Sequence, residues 1–220
     1  MKTATRLILR DMLPIAFASE PERHSASDIW LKPGIEFIPG ERYLVRSESG
    51  GGKSSLCSYL HGNRDDYSGT LMIEDRDARH LSVRDWTTLR RETLAYLPQD
   101  MGLFPTLTAI ENVRLKNRIT NHKTEEEIMK MLDTVGVGHV ADRPAGKLSI
   151  GQQQRVALVR TLCQPFSILL LDEPVSHLDS EANLSISSLV DREAAEKNAT
   201  VIVTSVGNDL MLDGCRQLSL

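Results

Sequence analysis

A glycine-rich turn between two apolar stretches is the feature that most constrains the fold of this chain. Residues 47–54 read Ser-Glu-Ser-Gly-Gly-Gly-Lys-Ser, with an apolar stretch at 43–45 before them and another at 56–60 after them. Three successive glycines let the backbone curl until several N–H groups face one anion at the positive end of the following helix. The pattern predicts a phosphate-binding loop, in which Lys53 reaches the β- and γ-phosphates of a nucleotide and Ser54 binds Mg²⁺.

The loop departs from the usual G-x-x-x-x-G-K-[ST] pattern at its first position, where Ser47 replaces glycine. A flexible glycine turn beside an unrelated lysine is therefore the alternative interpretation, because short motifs also occur by chance. If the motif is genuine, one continuous segment supplies most of the contacts to the nucleotide. The predicted contacts in this segment are Ser47, Glu48, Ser49, Gly50, Gly51, Gly52, Lys53, Ser54 and Ser55.

A second apolar stretch, at 167–171, ends in two acidic residues, Asp172 and Glu173. Open α/β sheets bind ligands at the carboxyl ends of their strands, so these carboxylates are predicted to complete the site. Asp172 would hold Mg²⁺ through water, and Glu173 would orient and polarise the attacking water. Acids after a strand can also merely cap the next helix, but Pro174 follows at once and the phosphate-binding loop requires a magnesium partner.

Strands and helices alternate along the chain, which predicts an α/β fold with a largely parallel sheet covered on both faces. Between 106 and 147 the pattern becomes helical, and Thr124 is predicted to cap a helix that begins with three glutamates. This segment is interpreted as a helical subdomain inserted in the α/β domain. Strands are predicted at 36–38, 43–45, 70–73, 93–97, 167–171 and 200–204, and helices at 85–91, 150–162 and 181–195.

Composition excludes several classes of function. The 26 basic and 30 acidic residues give a net charge of −4, so no broad basic field indicates nucleic acid as a partner. Cys57, Cys163 and Cys215 are odd in number and widely spaced, which argues against disulfides or a zinc site and favours a reducing cytosol. The longest apolar run, 168–171, is far shorter than the roughly 20 residues that span a bilayer. A role at a membrane would therefore depend on partner proteins.

A third motif makes the pattern specific to one family. Residues 148–155 read Leu-Ser-Ile-Gly-Gln-Gln-Gln-Arg and open a helix that Ser149 is placed to cap. With the motifs on either side of it, this segment resembles the signature of ABC ATPases, which normally reads Leu-Ser-Gly-Gly-Gln. Residues 97–99 resemble the family's Q-loop, and 176–179 resemble its D-loop. The resemblance extends from about residue 29 to about residue 218.

The resemblance implies a P-loop NTPase with a RecA-like core at 1–99 and 148–220, a small antiparallel β region near the N-terminus, and a helical subdomain at 100–147. It also implies that two cassettes pack head to tail around two ATP molecules, with Mg²⁺ bound by Ser54, Gln99 and Asp172. Gln99 would sense Mg²⁺ and water and would act with Glu173. The contacts implied for the opposing cassette are Ser149, Gly151, Gln152 and Asp179.

Besides Ser47, the motifs depart from the family pattern at Ser205 and Ile150. Ser205 stands where the family has a catalytic histidine after a strand and threonine, so turnover is expected to be slow unless another group or a partner cassette supplies the missing donor. His177 lies in the D-loop, where a contact at the dimer interface is expected. Ile150 stands where the signature has glycine. No tyrosine lies at the position expected to stack on adenine, and spacing leaves His24 as a candidate, whereas Trp30 is expected in the core.

The leading hypothesis is an ATPase that energises transport through separate membrane subunits, peripheral on the cytoplasmic side of the inner membrane. The second cassette of the implied dimer could be an identical or a different chain. A weakly hydrolysing module that signals by dimerisation is the alternative that Ser205 and Ile150 suggest. A non-transport ABC ATPase acting on DNA or ribosomes is disfavoured by the single cassette and the mild acidity. Residues 103–113 resemble the segment after the Q-loop in many bacterial cassettes. The short chain, which ends soon after its last predicted strand, is similar to the subunits of lipoprotein-releasing, macrolide-efflux and cell-division systems.

Overall fold

Two β-sheets form the framework of the computed structural model, which describes residues 5–220. The parallel sheet has the order β6-β7-β8-β3-β9, and the antiparallel sheet has the order β2-β1-β4-β5. The strands of the parallel sheet are β3 (Arg42–Arg46), β6 (Leu94–Leu97), β7 (Ile168–Asp172), β8 (Thr200–Ser205) and β9 (Arg216–Ser219). Those of the antiparallel sheet are β1 (Leu7–Pro14), β2 (Ile35–Phe37), β4 (Tyr67–Ile73) and β5 (Arg76–Asp77).

Polar side chains fix the start of most helices. Capping boxes precede α2, α3, α4 and α5, with Ser82, Thr108, Thr124 and Ser149 as the caps, so the prediction for Thr124 is confirmed. Among residues 5–220, no helix has both the length and the apolar character needed to cross a bilayer. The helices are α1 (Lys53–Leu60), α2 (Val83–Glu92), α3 (Ala109–Asn117), α4 (Glu125–Thr134), α5 (Ile150–Leu162) and α6 (Ser180–Lys197).

Strand β7, which lies between β6 and β8, separates the two halves of the hydrophobic core. Successive side chains of a strand point to opposite faces, and β7 is apolar on both. Leu169 and Leu171 join a cluster formed with the helices from α3 to α6. Ile168 and Leu170 join a second cluster, formed with α1 and the antiparallel sheet. The parallel sheet is therefore covered on both faces, as the sequence predicts.

The inserted helical segment is fastened to the core by a buried ion cluster. Glu193 of α6 is almost fully buried, and its carboxylate lies 3.0 Å from the Lys123 ammonium and 2.8 Å from that of Lys197. Burial raises the pKa of Glu193, but hydrogen bonds from the two lysines outweigh it and leave the pKa lowered. Lys123 precedes α4, so this cluster joins the helical segment to α6. The division of the domain at 100–147 stays a prediction.

The strands predicted from the sequence all exist, but β1 and the two-residue strand β5 were not predicted. Arg10 and Asp11 interrupt the alternation of β1, and its register shifts between Arg10 and Leu13. Asp11 has a φ of 48°, as expected at an irregularity of this kind. The strands predicted at 36–38 and 43–45 both exist, yet they belong to different sheets. The irregularity of β1 and the assignment of the two strands to different sheets both depend on pairing between distant segments, which no local pattern encodes.

Candidate nucleotide-binding site

The side chain of Lys53 occupies the centre of the phosphate-binding loop. Its ammonium donates hydrogen bonds to the carbonyl oxygens of Ser47, at 3.0 Å, and Glu48, at 2.8 Å. It also lies 3.8 Å from a carboxylate oxygen of Glu173, and only 5% of the Lys53 side chain is exposed. The loop therefore presents a buried cation at the first turn of α1, where the helix dipole also favours an anion.

Glycine is required at position 52 both by backbone conformation and by space. Gly52 precedes α1 with a φ of 95°, a conformation that side chains other than hydrogen rarely allow. A β-carbon there would lie 3.0 Å from the ring of Phe17 and 3.2 Å from that of Trp30. Trp30 is fully buried, as expected, and its indole N–H is 3.5 Å from the Gly51 carbonyl oxygen. Two aromatic rings thus support the back of the loop.

Ser47 is accommodated because Gly51 has no side chain. The Ser47 hydroxyl donates to the Glu48 carbonyl at 3.1 Å. A β-carbon on Gly51 would lie only 1.6 Å from the Ser47 oxygen. The serine therefore fills the space that a side chain at position 51 would take. The departure from the usual motif is compensated within the loop, and the loop keeps its curled shape.

A pocket of about 600 Å³ adjoins the outer side of the loop. Phe17 and His24 lie in its wall, and their rings stack with centroids 4.1 Å apart and planes inclined by 15°. Sequence reasoning named His24 but missed Phe17, because Phe17 belongs to a short 3-10 turn, Ile15–Phe17, that no periodic pattern marks. The pair brings an aromatic surface beside the phosphate-binding loop. The same pocket is also lined by residues of the loop, namely Ser47, Glu48, Ser49, Gly50 and Gly51.

Asp172 ends β7 with one carboxylate oxygen bound and the other free. Its Oδ1 accepts a hydrogen bond of 2.6 Å from the Thr204 hydroxyl, and only 1% of the residue is exposed. Its Oδ2 is buried and has no hydrogen-bond partner in the described part of the chain, 5–220. Burial raises the pKa of Cys57 in α1, and the charge of Asp172 raises it further, so the carboxylate lies close to α1. An unsatisfied carboxylate oxygen at this depth fits a bound cation.

A divalent ion at this site would depend on the nucleotide for part of its coordination. Between residues 5 and 220, no group of three or more His, Cys, Asp or Glu residues could hold a metal. Mg²⁺ typically takes one or two protein ligands and completes its coordination with phosphates and water. Ser54, on the exposed face of the first turn of α1, and Asp172 suit such a shared site. The assignment of Ser54, Gln99 and Asp172 as metal ligands stays a prediction.

Glu173 is held in an unusual conformation beside Lys53. Its φ of 52° is uncommon for a residue with a side chain, and such strain is often found at functional sites. Its N–H donates to the Thr204 carbonyl at 3.2 Å and hydroxyl at 3.3 Å, which fix the turn. The Gln99 amide, after β6, donates to the Glu173 carboxylate at 3.3 Å. The structure therefore brings together Lys53, Gln99 and Glu173, as the sequence predicts.

The signature residues lie at the exposed start of α5. The Ser149 hydroxyl accepts a hydrogen bond from the Gln152 N–H at 3.2 Å, and the Gln152 side chain accepts one from the Ser149 N–H at 3.0 Å. The hydroxyl proton of Ser149 thus remains available to another acceptor. Ile150 is 53% exposed. Within residues 5–220, no hydrogen bond or ion pair joins 149–152 to the phosphate-binding loop.

Gln154, which sequence reasoning did not identify, ties this helix to the acidic turn. The residue is 3% exposed, and its amide nitrogen donates to the Glu173 carbonyl at 2.9 Å and to the Ser176 hydroxyl at 3.3 Å. Its amide oxygen accepts from the His177 N–H at 3.3 Å. The sequence signal for Gln154 was a polar residue at the boundary between the signature and the apolar face of the helix. Its partners could not be read from spacing.

Two further predicted residues have structural partners. Asp179 caps α6 by accepting a hydrogen bond of 2.8 Å from the Ala182 N–H. Ser205 is 1% exposed, and its hydroxyl donates to the Asn208 carbonyl and accepts from the Gly207 N–H, both at 3.1 Å. The hydroxyl of Ser205 therefore closes a local turn. Catalytic contact by Ser205 and nucleotide contact by Asp179 stay predictions.

The fold and this site define a P-loop nucleotide-binding protein of the α/β class. A family model described as ABC transporter matches residues 34–176. The lipoprotein-releasing system ATP-binding protein LolD 1 of Rhodopirellula baltica is 33% identical over 173 residues, covering 77% of this chain and 75% of that protein. The ABC transporter ATP-binding protein YtrE of Bacillus subtilis is 29% identical over 189 residues, covering 84% of this chain and 82% of that protein.

Solved structures agree with this assignment. The dimeric structure of MJ0796, a bacterial ABC transporter cassette, matches with a TM-score of 0.76 and 24% identity over 97% of this chain and 94% of that one. A post-hydrolysis dimer of the same cassette bound to ADP and Pi matches with a TM-score of 0.72 and 25% identity over 92% and 88%. The chain belongs to the ABC transporter family and is an ATP-binding subunit with ABC-type ATPase function.

Replacing Lys53 by alanine should weaken ATP binding about 10- to 100-fold, because a hydrogen bond from a charged donor contributes about 1.5–3 kcal/mol. Equilibrium binding of a fluorescent ATP analogue with Mg²⁺ measures the change. Lys130→Ala, an exposed lysine on α4, is the matched control and should bind as the wild type does. Equal affinity in Lys53→Ala and the wild type would remove Lys53 from the site.

Proposed function

We propose that two copies of this cassette, or this chain and a related one, close head to tail on two ATP molecules and hydrolyse them to energise separate membrane subunits. The exposed start of α5 carries the proposal. Ser149 has an available hydroxyl proton, Ile150 is exposed, and the helix dipole points outward. Within the described residues, 149–152 make no hydrogen bond or ion pair with the chain's own phosphate-binding loop. Such a surface suits the γ-phosphate of a nucleotide held by a second chain.

The residues beside the loop divide the chemistry among themselves. Lys53 neutralises the β- and γ-phosphates, since its ammonium can exchange loop carbonyls for phosphate oxygens. Ser54 and the free oxygen of Asp172 would hold Mg²⁺, which when bound neutralises charge on the phosphates. Glu173, fixed by its strained turn and by Gln99, orients the attacking water and receives its proton.

The Phe17 and His24 pair provides the surface on which adenine stacks. The rings already lie parallel beside the loop, so little conformational freedom is lost when a third ring is added. Phe17 also contacts the loop at Gly52, which couples the position of the base to that of the phosphates. This arrangement would replace the tyrosine that the chain does not have at the expected position.

Replacing Glu173 by glutamine should trap an ATP-bound dimer, because the amide keeps the shape of the carboxylate but cannot accept a proton from water. Light scattering after gel filtration should show a doubled mass with Mg²⁺ and ATP, and a single mass with ADP. Glu181→Gln, a carboxylate in the first turn of α6, is the control and should not trap a dimer. A variant that stays monomeric with ATP, while the wild type dimerises, would contradict the assigned role.

Membrane subunits are proposed to dock beside the Q-loop, on the cytoplasmic face of the membrane. Phe104 is 51% exposed a few residues beyond Gln99, although large aromatic side chains are usually buried. Asn112 holds the loop around it, by accepting from the Phe104 N–H at 2.8 Å and donating to the Phe104 carbonyl at 3.0 Å. An exposed ring on a backbone held in this way is typical of an anchor in an interface. The similarity to LolD 1 and YtrE supports a transport role.

Replacing Phe104 by serine should reduce recovery of the co-expressed membrane subunits about tenfold or more, since interface anchors contribute about 2 kcal/mol or more. Quantitative pull-down from detergent extracts measures the loss, and ATP binding should remain unchanged. Ile38→Ser is the matched control, because Ile38 is 38% exposed and lies between β2 and β3, and two strands of the parallel sheet separate β3 from β6. Full recovery with Phe104→Ser would place the anchor elsewhere.

A further inference from the structure

The chain's own candidate for a hydrogen-bond donor at the γ-phosphate is already occupied. Ser205 stands at the carboxyl end of β8, next to Thr204, and its hydroxyl donates to the Asn208 carbonyl. Asn208 is fixed in turn, because its amide nitrogen donates to the carbonyl of Val175 at 2.6 Å. Freeing Ser205 would break the turn at 205–208. An ATPase with this turn needs a donor from another source.

His177 is an exposed imidazole held next to the acidic turn. The backbone N–H of His177 donates a hydrogen bond to the side-chain oxygen of Gln154. The side-chain nitrogen of Gln154 donates to the Glu173 carbonyl oxygen. The backbone of His177 is thereby fixed relative to Glu173 through one buried side chain. The imidazole itself is exposed to solvent. It is therefore placed by the protein and still free to meet another molecule.

The hydrogen bonds around Ser176 fit a tautomer of His177 that carries its proton on Nε2. The Ser176 hydroxyl accepts from the Gln154 amide at 3.3 Å, so its own proton is available for the His177 Nδ1, which lies 3.0 Å away. An imidazole that accepts at Nδ1 carries its proton on Nε2. In this arrangement His177 presents an N–H donor on the far side of the ring.

His177 lies on the same surface as the start of α5. A β-carbon on Gly151 would be 3.2 Å from the His177 carbonyl oxygen and 3.2 Å from a side-chain carbon of Leu178. The D-loop and the signature are therefore in contact. Whatever faces Ser149 and Ile150 also comes close to His177.

We propose that His177 donates its Nε2–H to the γ-phosphate of the ATP held by the partner chain, and so replaces in trans the donor that Ser205 cannot supply. The proposal rests on the head-to-tail dimer described above. As water attacks phosphorus, its oxygen forms the new bond, the bond to the bridging oxygen of ADP breaks, and the water proton passes to Glu173 of the chain that holds the ATP. His177 keeps its proton throughout and stabilises the charge on the γ-phosphate oxygens.

The other histidines lie in unsuitable places. His61 follows the last turn of α1, at the end away from the phosphate-binding loop, and His122 lies between α3 and α4. His24 belongs to the proposed adenine pocket. His80 ends a 3-10 turn of the antiparallel region, and His139 lies in a 3-10 turn of the helical segment. Among these residues only His177 adjoins both the signature and Glu173.

Steady-state ATP hydrolysis by the complex tests the role of the imidazole. His177→Ala should lower kcat about 10²-fold while leaving KM for ATP nearly unchanged, because the donor acts chiefly on the transition state. His177→Gln, which keeps an N–H donor, should retain most of the rate, and added imidazole should partly restore His177→Ala. His139→Ala is the exposed control and should behave as the wild type. An unchanged kcat in His177→Ala, or a loss that neither glutamine nor imidazole restores, would overturn the proposal.

A mixed dimer tests whether His177 acts on the partner. One tagged chain carries Glu173→Gln and the other carries His177→Ala, and a single turnover is followed after Mg²⁺ is added to the ATP-loaded dimer. Action in trans leaves one site with an intact Glu173 facing an intact His177, so about one ATP per dimer should be hydrolysed at the wild-type rate. Action within the chain leaves both sites defective, and the absence of a fast phase would overturn the proposal.

The dimer itself is tested separately in chains that carry both substitutions. Glu173→Gln with His177→Ala should still form the ATP-bound dimer, because His177 acts on the chemical step and not on assembly. Loss of ATP-dependent dimerisation in the double variant, with dimerisation kept in Glu173→Gln alone, would make His177 an assembly residue and overturn the inference. Failure of Glu173→Gln alone to dimerise would instead contradict the proposed function.

Discussion

The hydrogen bond from the Thr204 hydroxyl to the Asp172 carboxylate, 2.6 Å long, ties together the two strands on which the site depends. It fixes the ends of β7 and β8 at the same level, and the backbone N–H of Glu173 then binds Thr204 as well. One oxygen of Asp172 is left free at the bottom of the site, and Glu173 is turned toward Lys53. Since the carboxyl ends of parallel strands meet at one edge, three loops converge there.

The same small set of contacts links this edge to surfaces that face outward. Gln154 connects the acidic turn to α5 and to the D-loop, and Gln99 connects it to the loop that carries Phe104. Changes at the phosphates can thus reach both the surface proposed for the second cassette and the surface proposed for the membrane subunits. Each connection consists of one or two hydrogen bonds, so small shifts in the turn suffice to alter it.

The features that the sequence predicted correctly are those that depend on residues close together in the chain. The glycine-rich loop, the apolar strand that ends in Asp172 and Glu173, and the cap at Thr124 all depend on neighbouring residues, and the structure contains each of them. Phe17 and Gln154 were missed because their roles arise from contacts with residues distant in the sequence. Likewise, the resemblance to the family revealed the replacement at Ser205 but could not show that its hydroxyl closes a turn.

The central claim is that the catalytic site is shared by two chains, and cross-linking tests it most directly. Ser49 in the loop and Ile150 in the signature are both exposed, Cys57 and Cys163 are buried, and Cys215 can be replaced by serine. With Ser49→Cys on one tagged chain and Ile150→Cys on another, a short bis-maleimide should join the two chains with Mg²⁺ and ATP but not with ADP. No product between chains with ATP, or a product within one chain when both cysteines lie on it, would contradict the account.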